Sequence, residues 1–195
     1  MSRNNLSKMK NTLKFYKNFP KEGIMFVDII PFLQDKKVFG ELIEKIGEAL
    51  TAPNIAAPEA RGFLFTAPLL LTKPEVKNII PIRKTGKLPF NEGDLIEIGI
   101  EKEYGMDRLF YRLSDITAGE AKDGKIHISI IDDVLATGGT AEGIALSLQG
   151  RKVMKDGVEY EVVIDEFIFL VGLDGLSGEE RLAKIAPVKT LIHLE

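Results

Sequence analysis

Two adjacent aspartates, Asp132 and Asp133, interrupt the apolar run in IHISIIDDVLATGGT, residues 126–140, and the turn Thr137-Gly138-Gly139-Thr140 follows at once. Like charges side by side repel, and burying either without a partner is costly. Their surroundings must therefore want negative charge or hydrogen-bond acceptors. Strand, glycine-rich turn, helix is the arrangement that grips a phosphate. Backbone N–H groups of the turn and helix start point at the anion, and glycines permit close approach. Ala136 to Thr140 would supply those N–H groups and two hydroxyls. Neither GxxxxGK[ST] nor a GxGxxG after a strand is present, so the cradle suits one terminal monophosphate better than a β/γ pair. The acids one turn away would accept hydrogen bonds from sugar hydroxyls or help hold magnesium. A ribose 5-phosphate matches that order of groups. The plainer reading is a surface turn whose aspartates cap the next helix.

The elements that must position these groups can be read from periodicity. Val38, Phe39, Leu42, Ile43, Ile46 and Leu50 predict a helix over 37–50. Asn54–Ala57 reads as a short strand, and 62–71 as a helix stopped by Lys73-Pro74. Further strands are expected at 79–82, 108–113, 125–131, 165–171 and 188–194, with helices at 141–148 and 178–185. Residues 83–104 mix charge, glycine and proline, as in a mobile loop or exposed hairpin. Strands alternating with helices predict an α/β fold, a parallel doubly wound sheet flanked by helices, whose ligands bind at the carboxyl ends of the strands. With no internal repeat or linker, residues 1–195 read as a single domain, the first 35 or so contributing a small hood. The segment 151–165 is longer and more charged than such a fold needs.

Composition narrows the function. The 195 residues include 45% hydrophobic and 28% charged, and the net charge of −3 gives no global pull toward nucleic acid or an anionic membrane. Without cysteine there are no disulfides or thiolate metal sites, and two histidines offer little to zinc. The polar, basic N-terminus lacks the apolar stretch of a signal peptide, and no segment is long and apolar enough to span a membrane. A soluble cytoplasmic protein acting on small molecules is the expectation.

The stretch IIDDVLATGGT resembles the phosphoribosyl diphosphate signature of the type I phosphoribosyltransferases. That resemblance implies that Ala136–Thr140 hold the donor 5-phosphate and that Asp132 and Asp133 contact the ribose 2′ and 3′ hydroxyls. Four further stretches, in order, are similar to the adenine-using members of that family. FPKEGIMFVDIIPFL (19–33) is similar to their purine-binding segment. It implies that Phe26 stacks on the base, that the backbone at Met25 reads the adenine amino edge, and that Val27 stands where the family has arginine. One N–H and one C=O match adenine, whereas 6-oxopurines would leave both unpaired. Ile24, Phe26 and Ile29 as plain core residues is the competing reading. APEARGFLF (57–65) resembles the diphosphate loop, with Arg61 on the diphosphate and Pro58 and Thr66 departing from the pattern. IRKTGKLP (82–89) implies that Arg83, Lys84 and Lys87 neutralise the leaving group. EKEYGMDRL (101–109) implies that Glu103 bonds the purine N7 and manages its proton, while Tyr104 closes over the diphosphate. EFIFLVGLDGLSGEERL, near the C-terminus, implies that Leu173 packs on the other face of the purine.

The family reaction would move the 5-phosphoribosyl group from its 1-diphosphate to N9 of adenine, giving AMP and diphosphate, with Mg2+ carried mainly by the substrate and a homodimer as the usual assembly. Closure of the 83–104 loop would exclude water. The rivals are a 6-oxopurine enzyme, an inactive partner subunit, and a donor-sensing regulator. The last is disfavoured because such regulators carry an added DNA-binding domain and this chain is acidic.

Overall fold

The computed structural model describes the backbone of residues 3–102 and 105–195 and the side chains of 7–100 and 106–195. The elements in chain order are α1 (Arg3–Thr12), β1 (Lys14–Lys17), β2 (Met25–Asp28), α2 (Lys36–Ala49), β3 (Asn54–Pro58), α3 (Arg61–Thr72), β4 (Asn78–Lys84), β5 (Leu95–Lys102), β6 (Gly105–Arg112), β7 (Lys125–Leu135), α4 (Gly139–Leu148), β8 (Lys152–Lys155), β9 (Val158–Leu173), α5 (Gly178–Leu182) and β10 (Val188–Leu194).

The central sheet runs β10-β9-β7-β3-β4-β6-β5, with β8 paired to β9. From β10 to β4 the neighbours are parallel; β6 and β5 extend the sheet antiparallel. The parallel part carries near-continuous apolar runs because both faces are covered, as in Ile126, Ile128, Ile130 and Ile131 of β7, all essentially inaccessible. One core layer joins β7 and β9 to α4 and the β5–β6 hairpin through Ile98, Tyr111, Ile144, Leu148 and Phe167. The other joins the same strands to α2 and α3 through Leu42, Ile46, Phe65, Ile131 and Ile168. The small antiparallel β1–β2 sheet is the expected hood.

Local chemistry sets the helix ends. Asp35 caps α2, its carboxylate accepting from the N–H groups of Lys37 at 2.9 Å and Val38 at 3.1 Å. In α3 the buried Thr66 donates to the Gly62 carbonyl at 3.0 Å, so this departure from the family pattern is satisfied within its own helix. Pro58 closes β3 opposite Ile82 of β4.

Four expectations change in detail. The strand predicted over 125–131 continues through both aspartates to Leu135, because β9 pairs beside it as far as Gly172. Of residues 83–104, the stretch 85–94 is the expected exposed loop, whereas 95–102 form β5, which pairs with β6 and buries Ile98 and Ile100. The charged segment 151–165 forms the β8–β9 hairpin, with Asp156 and Gly157 both at positive φ in a two-residue turn. Helix 178–185 is shorter, ending at Leu182.

Candidate active site

β7 delivers the acids to the carboxyl edge of the sheet. Alternation along a strand sends neighbouring side chains to opposite sides. Asp133 meets Arg61 at the start of α3, its Oδ2 2.8 Å from Nε. Asp132 instead borders a cavity of about 110 Å³ walled by residues 134–141 and Phe169. One acid of the opening motif thus has a cation beside it, and the two carboxyls still act on each other. The Asp133 N–H donates to Asp132 Oδ1 at 2.8 Å, which locks the pair together. Burial, and then the charge of Asp133, push the Asp132 carboxyl well above the usual carboxylate range, while Arg61 works in the opposite direction. Asp133 is almost fully buried, and its Oδ2, though ion-paired, has no aligned hydrogen bond.

The turn has the open backbone on which the phosphate expectation rests. Gly138 takes φ +77° as the residue before α4, a conformation that L side chains resist. No side chain caps α4, so the first N–H groups of the helix are left for a ligand.

A second cavity, of about 190 Å³, joins the two motifs. Arg61, Lys84, Asp107, Asp132, Asp133 and Thr140 all line it, and Ile100 and Leu109 of the hairpin wall it. Four separate stretches of sequence meet here. Arg83 lies to one side: it is ion-paired with Glu59 and its Cζ sits 5.8 Å from the Phe63 ring centroid. Burial opposes ionisation of Glu59, but Arg83 and the Lys84 N–H outweigh it and lower its pKa. Lys87 is exposed in a turn closed by its own N–H on the Lys84 carbonyl.

The hood meets the site through Arg61, whose Cζ stands 5.3 Å from the Phe26 ring centroid. Phe26 is half-buried and packs edge-on against Phe19. Met25 is exposed and stands opposite Lys17 in the β1–β2 ladder. Val27 has its side chain in the core with Met9, Leu13 and Phe32, which leaves only its backbone for a base. Of the competing core residues, Ile29 is buried but Ile24 is exposed. Leu173 is half-buried and lines a different cavity, of about 270 Å³, with Asp174, Ser177 and His193. Glu103 and Tyr104 fall between β5 and β6 and lie outside the described residues.

Sequence reasoning passed over Glu59 and Asp107, although both sit inside the quoted stretches. Glu59 gave no signal because its partner comes from the next parallel strand.

No protein-family model matches the chain. An adenine phosphoribosyltransferase of Maridesulfovibrio salexigens is 38% identical over 180 residues, covering 91% of this chain and 98% of that protein. One from Candida albicans is 37% identical over 187 residues, covering 94% and 87%. The crystal structure of adenine phosphoribosyltransferase from Thermoanaerobacter pseudethanolicus matches with TM-score 0.78 and 35% identity, over 97% of this chain and 99% of that one. The Saccharomyces cerevisiae enzyme, solved with an imino-altritol bisphosphate and adenine, matches with TM-score 0.75 and 32% identity over the same shares. With such relatives across nearly its whole length, the chain belongs to the adenine phosphoribosyltransferase family.

Proposed function

We propose that this chain forms AMP and diphosphate from adenine and 5-phosphoribosyl 1-diphosphate at the cavity shared by Arg61, Lys84, Asp132, Asp133 and Thr140. The observation that carries the reading is this gathering of two cations and two acids beside an uncapped glycine turn. The 5-phosphate sits on Ala136–Thr140. Asp132 and Asp133 hold the ribose hydroxyls, and Arg61 and Lys84 receive the diphosphate, with Arg83 and Lys87 as further positive charge. Adenine stacks on Phe26, its amino edge read by the backbone near Met25, and Leu173 covers its far side only if the base reaches the neighbouring cavity that this residue lines.

As the C1–O bond breaks, positive charge grows on the sugar and negative charge on the leaving group. Arg61 and Lys84 stabilise the latter, and the acid pair favours the former. N9 of adenine bonds to C1, and Glu103 manages the proton on the base, with Tyr104 over the diphosphate. The hairpin walls limit water at the reacting centre.

The donor set suits Mg2+ brought in by the substrate. Among the described residues no three acidic or histidine side chains form a cage, and Asp132 and Asp133 offer hard oxygens beside those of the sugar and diphosphate. When bound, the ion neutralises charge on the diphosphate. A cytoplasmic homodimer is part of the same proposal. The exposed Leu70 and Leu71 on α3 support an interface there, and sedimentation velocity tests it. No helix among the described residues is long and apolar enough to cross a membrane.

The deciding experiment supplies purified protein with magnesium, the donor and adenine, hypoxanthine, guanine or xanthine, following nucleotide and diphosphate separately. AMP from adenine alone, lost in Glu103→Gln and in Asp132→Asn/Asp133→Asn, is the expected result. Turnover of a 6-oxopurine would sink the base assignment.

A further inference from the structure

The turn that holds the 5-phosphate contains no cation: Ala136, Thr137, Gly138, Gly139 and Thr140 offer only N–H groups and hydroxyls. A phosphate monoester brings between one and a half and two negative charges at neutral pH, roughly. The first turn of α4 makes matters worse, since it carries Glu142. Helix dipole and N–H groups favour the anion, but an acid this close opposes it.

A cation does reach the turn, from a distant part of the chain. α5 packs directly against it: a Cβ on Gly138 would lie 3.1 Å from the Gly178 carbonyl oxygen and 3.3 Å from Leu182 Cγ. Between these two contact points in sequence stands Arg181. Its guanidinium lies over the start of α4, with one terminal nitrogen 3.3 Å from where a Cβ on Gly139 would sit. Its Nε is 3.6 Å from Glu142 Oε2.

We propose that Arg181 is a further donor-binding residue, the cationic side of the 5-phosphate cradle. This rests on the placement of that phosphate at residues 136–140. The ion pair with Glu142 is loose and its arginine is 46% exposed, so it is of the weak surface kind. It neutralises the acid in the free protein and leaves the planar fork available for a dianion arriving over Gly139. A guanidinium grips two phosphate oxygens at once, which an ammonium cannot do with the same geometry.

The test uses inhibition of the enzyme by two fragments of the donor. Ribose 5-phosphate fills the sugar-phosphate half, and inorganic diphosphate fills the half at Arg61 and Lys84. Arg181→Ala should weaken ribose 5-phosphate and raise the donor KM by about tenfold, the worth of one charge-assisted contact, and leave diphosphate inhibition, adenine KM and melting temperature unchanged. Arg181→Lys should restore part of the loss. Unchanged ribose 5-phosphate inhibition in Arg181→Ala overturns the proposal, as does an equal loss for both fragments. Thr137→Val/Thr140→Val separates the two layers of inference. If it weakens ribose 5-phosphate and Arg181→Ala does not, only the arginine's role is wrong. If it too has no effect, the phosphate lies elsewhere and both readings fail.

Discussion

Gly178 offers the sharpest test of how the cradle is held. A Cβ built there would lie 2.1 Å from the Ala136 carbonyl oxygen, 2.8 Å from Leu135 Cδ1 and 3.1 Å from the Ala136 carbonyl carbon. Two of those atoms are backbone and cannot swing aside. Ordinary contact begins at 3.4 Å, so Gly178→Ala must separate α5 from the turn by about 1.3 Å. Overpacking of this size costs about 1–3 kcal/mol of stability. A displacement of about 1 Å in a group that positions substrate costs about a hundredfold in rate. The variant should therefore lose roughly two orders of magnitude in kcat/KM for the donor, with a melting temperature lower by several degrees, about 2–4 °C per kcal/mol for a chain of this length. Gly175→Ala is the control, because nothing lies within 4 Å of its added methyl. Thermal melts and steady-state kinetics on both variants suffice. Wild-type kinetics in Gly178→Ala would refute the claim that α5 sets the position of the turn.

Arg61→Ala should cost about 10²–10³ in kcat/KM, as expected for a group aimed at developing charge, and should raise the diphosphate inhibition constant in product-inhibition assays. Asp132→Asn should raise the melting temperature at pH 8 while abolishing most turnover. Its carboxyl is held above the usual range, so the folded state binds that proton more tightly than the unfolded one, and stability drains away as pH rises from about 4 through the raised value. The gain should vanish near pH 3, where both states are protonated. Glu166 is the opposite case. Burial opposes its charge, yet Lys189, Ser129 and the Thr51 N–H outweigh this and hold its pKa low. Its contribution is present at neutral pH and lost as pH falls through the lowered value. Glu166→Gln breaks this buried pair at about 3 kcal/mol, which calorimetry should register as a melting temperature about 10 °C lower at pH 7, the gap closing in acid.

The proposed donor half of the site stood out in the sequence because acids and glycines interrupt an apolar run, a pattern that packing alone does not call for. Strand β7 was read short for the same reason: an aspartate looks like a terminus, whereas a ladder with β9 carries the strand through both. The β8–β9 hairpin was legible in principle, since Asp156-Gly157 between KVMK and VEYE is a two-residue turn signal. Pairings between distant segments had no local signature. Arg61 with Asp133, Arg83 with Glu59 and Arg181 with Glu142 exist only once β3, β4, β7 and α5 are set side by side. Val27 stands at an expected purine position, but strand alternation turns its side chain inward.

Arg61 stands between Asp133 and the open cavity, and this gives the site a movable counter-ion. While the guanidinium stays on Asp133, the acid edge facing the sugar is partly neutral. Once a diphosphate draws it away, Asp133 is left as a bare charge, and Asp132 beside it holds its proton more firmly. The potential felt at C1 therefore depends on whether a leaving group is present. On the proposed assignment of Arg61 to the diphosphate, a sugar phosphate alone meets a weaker field than the true donor does, and recognition of the leaving group and the field that helps it depart are one event.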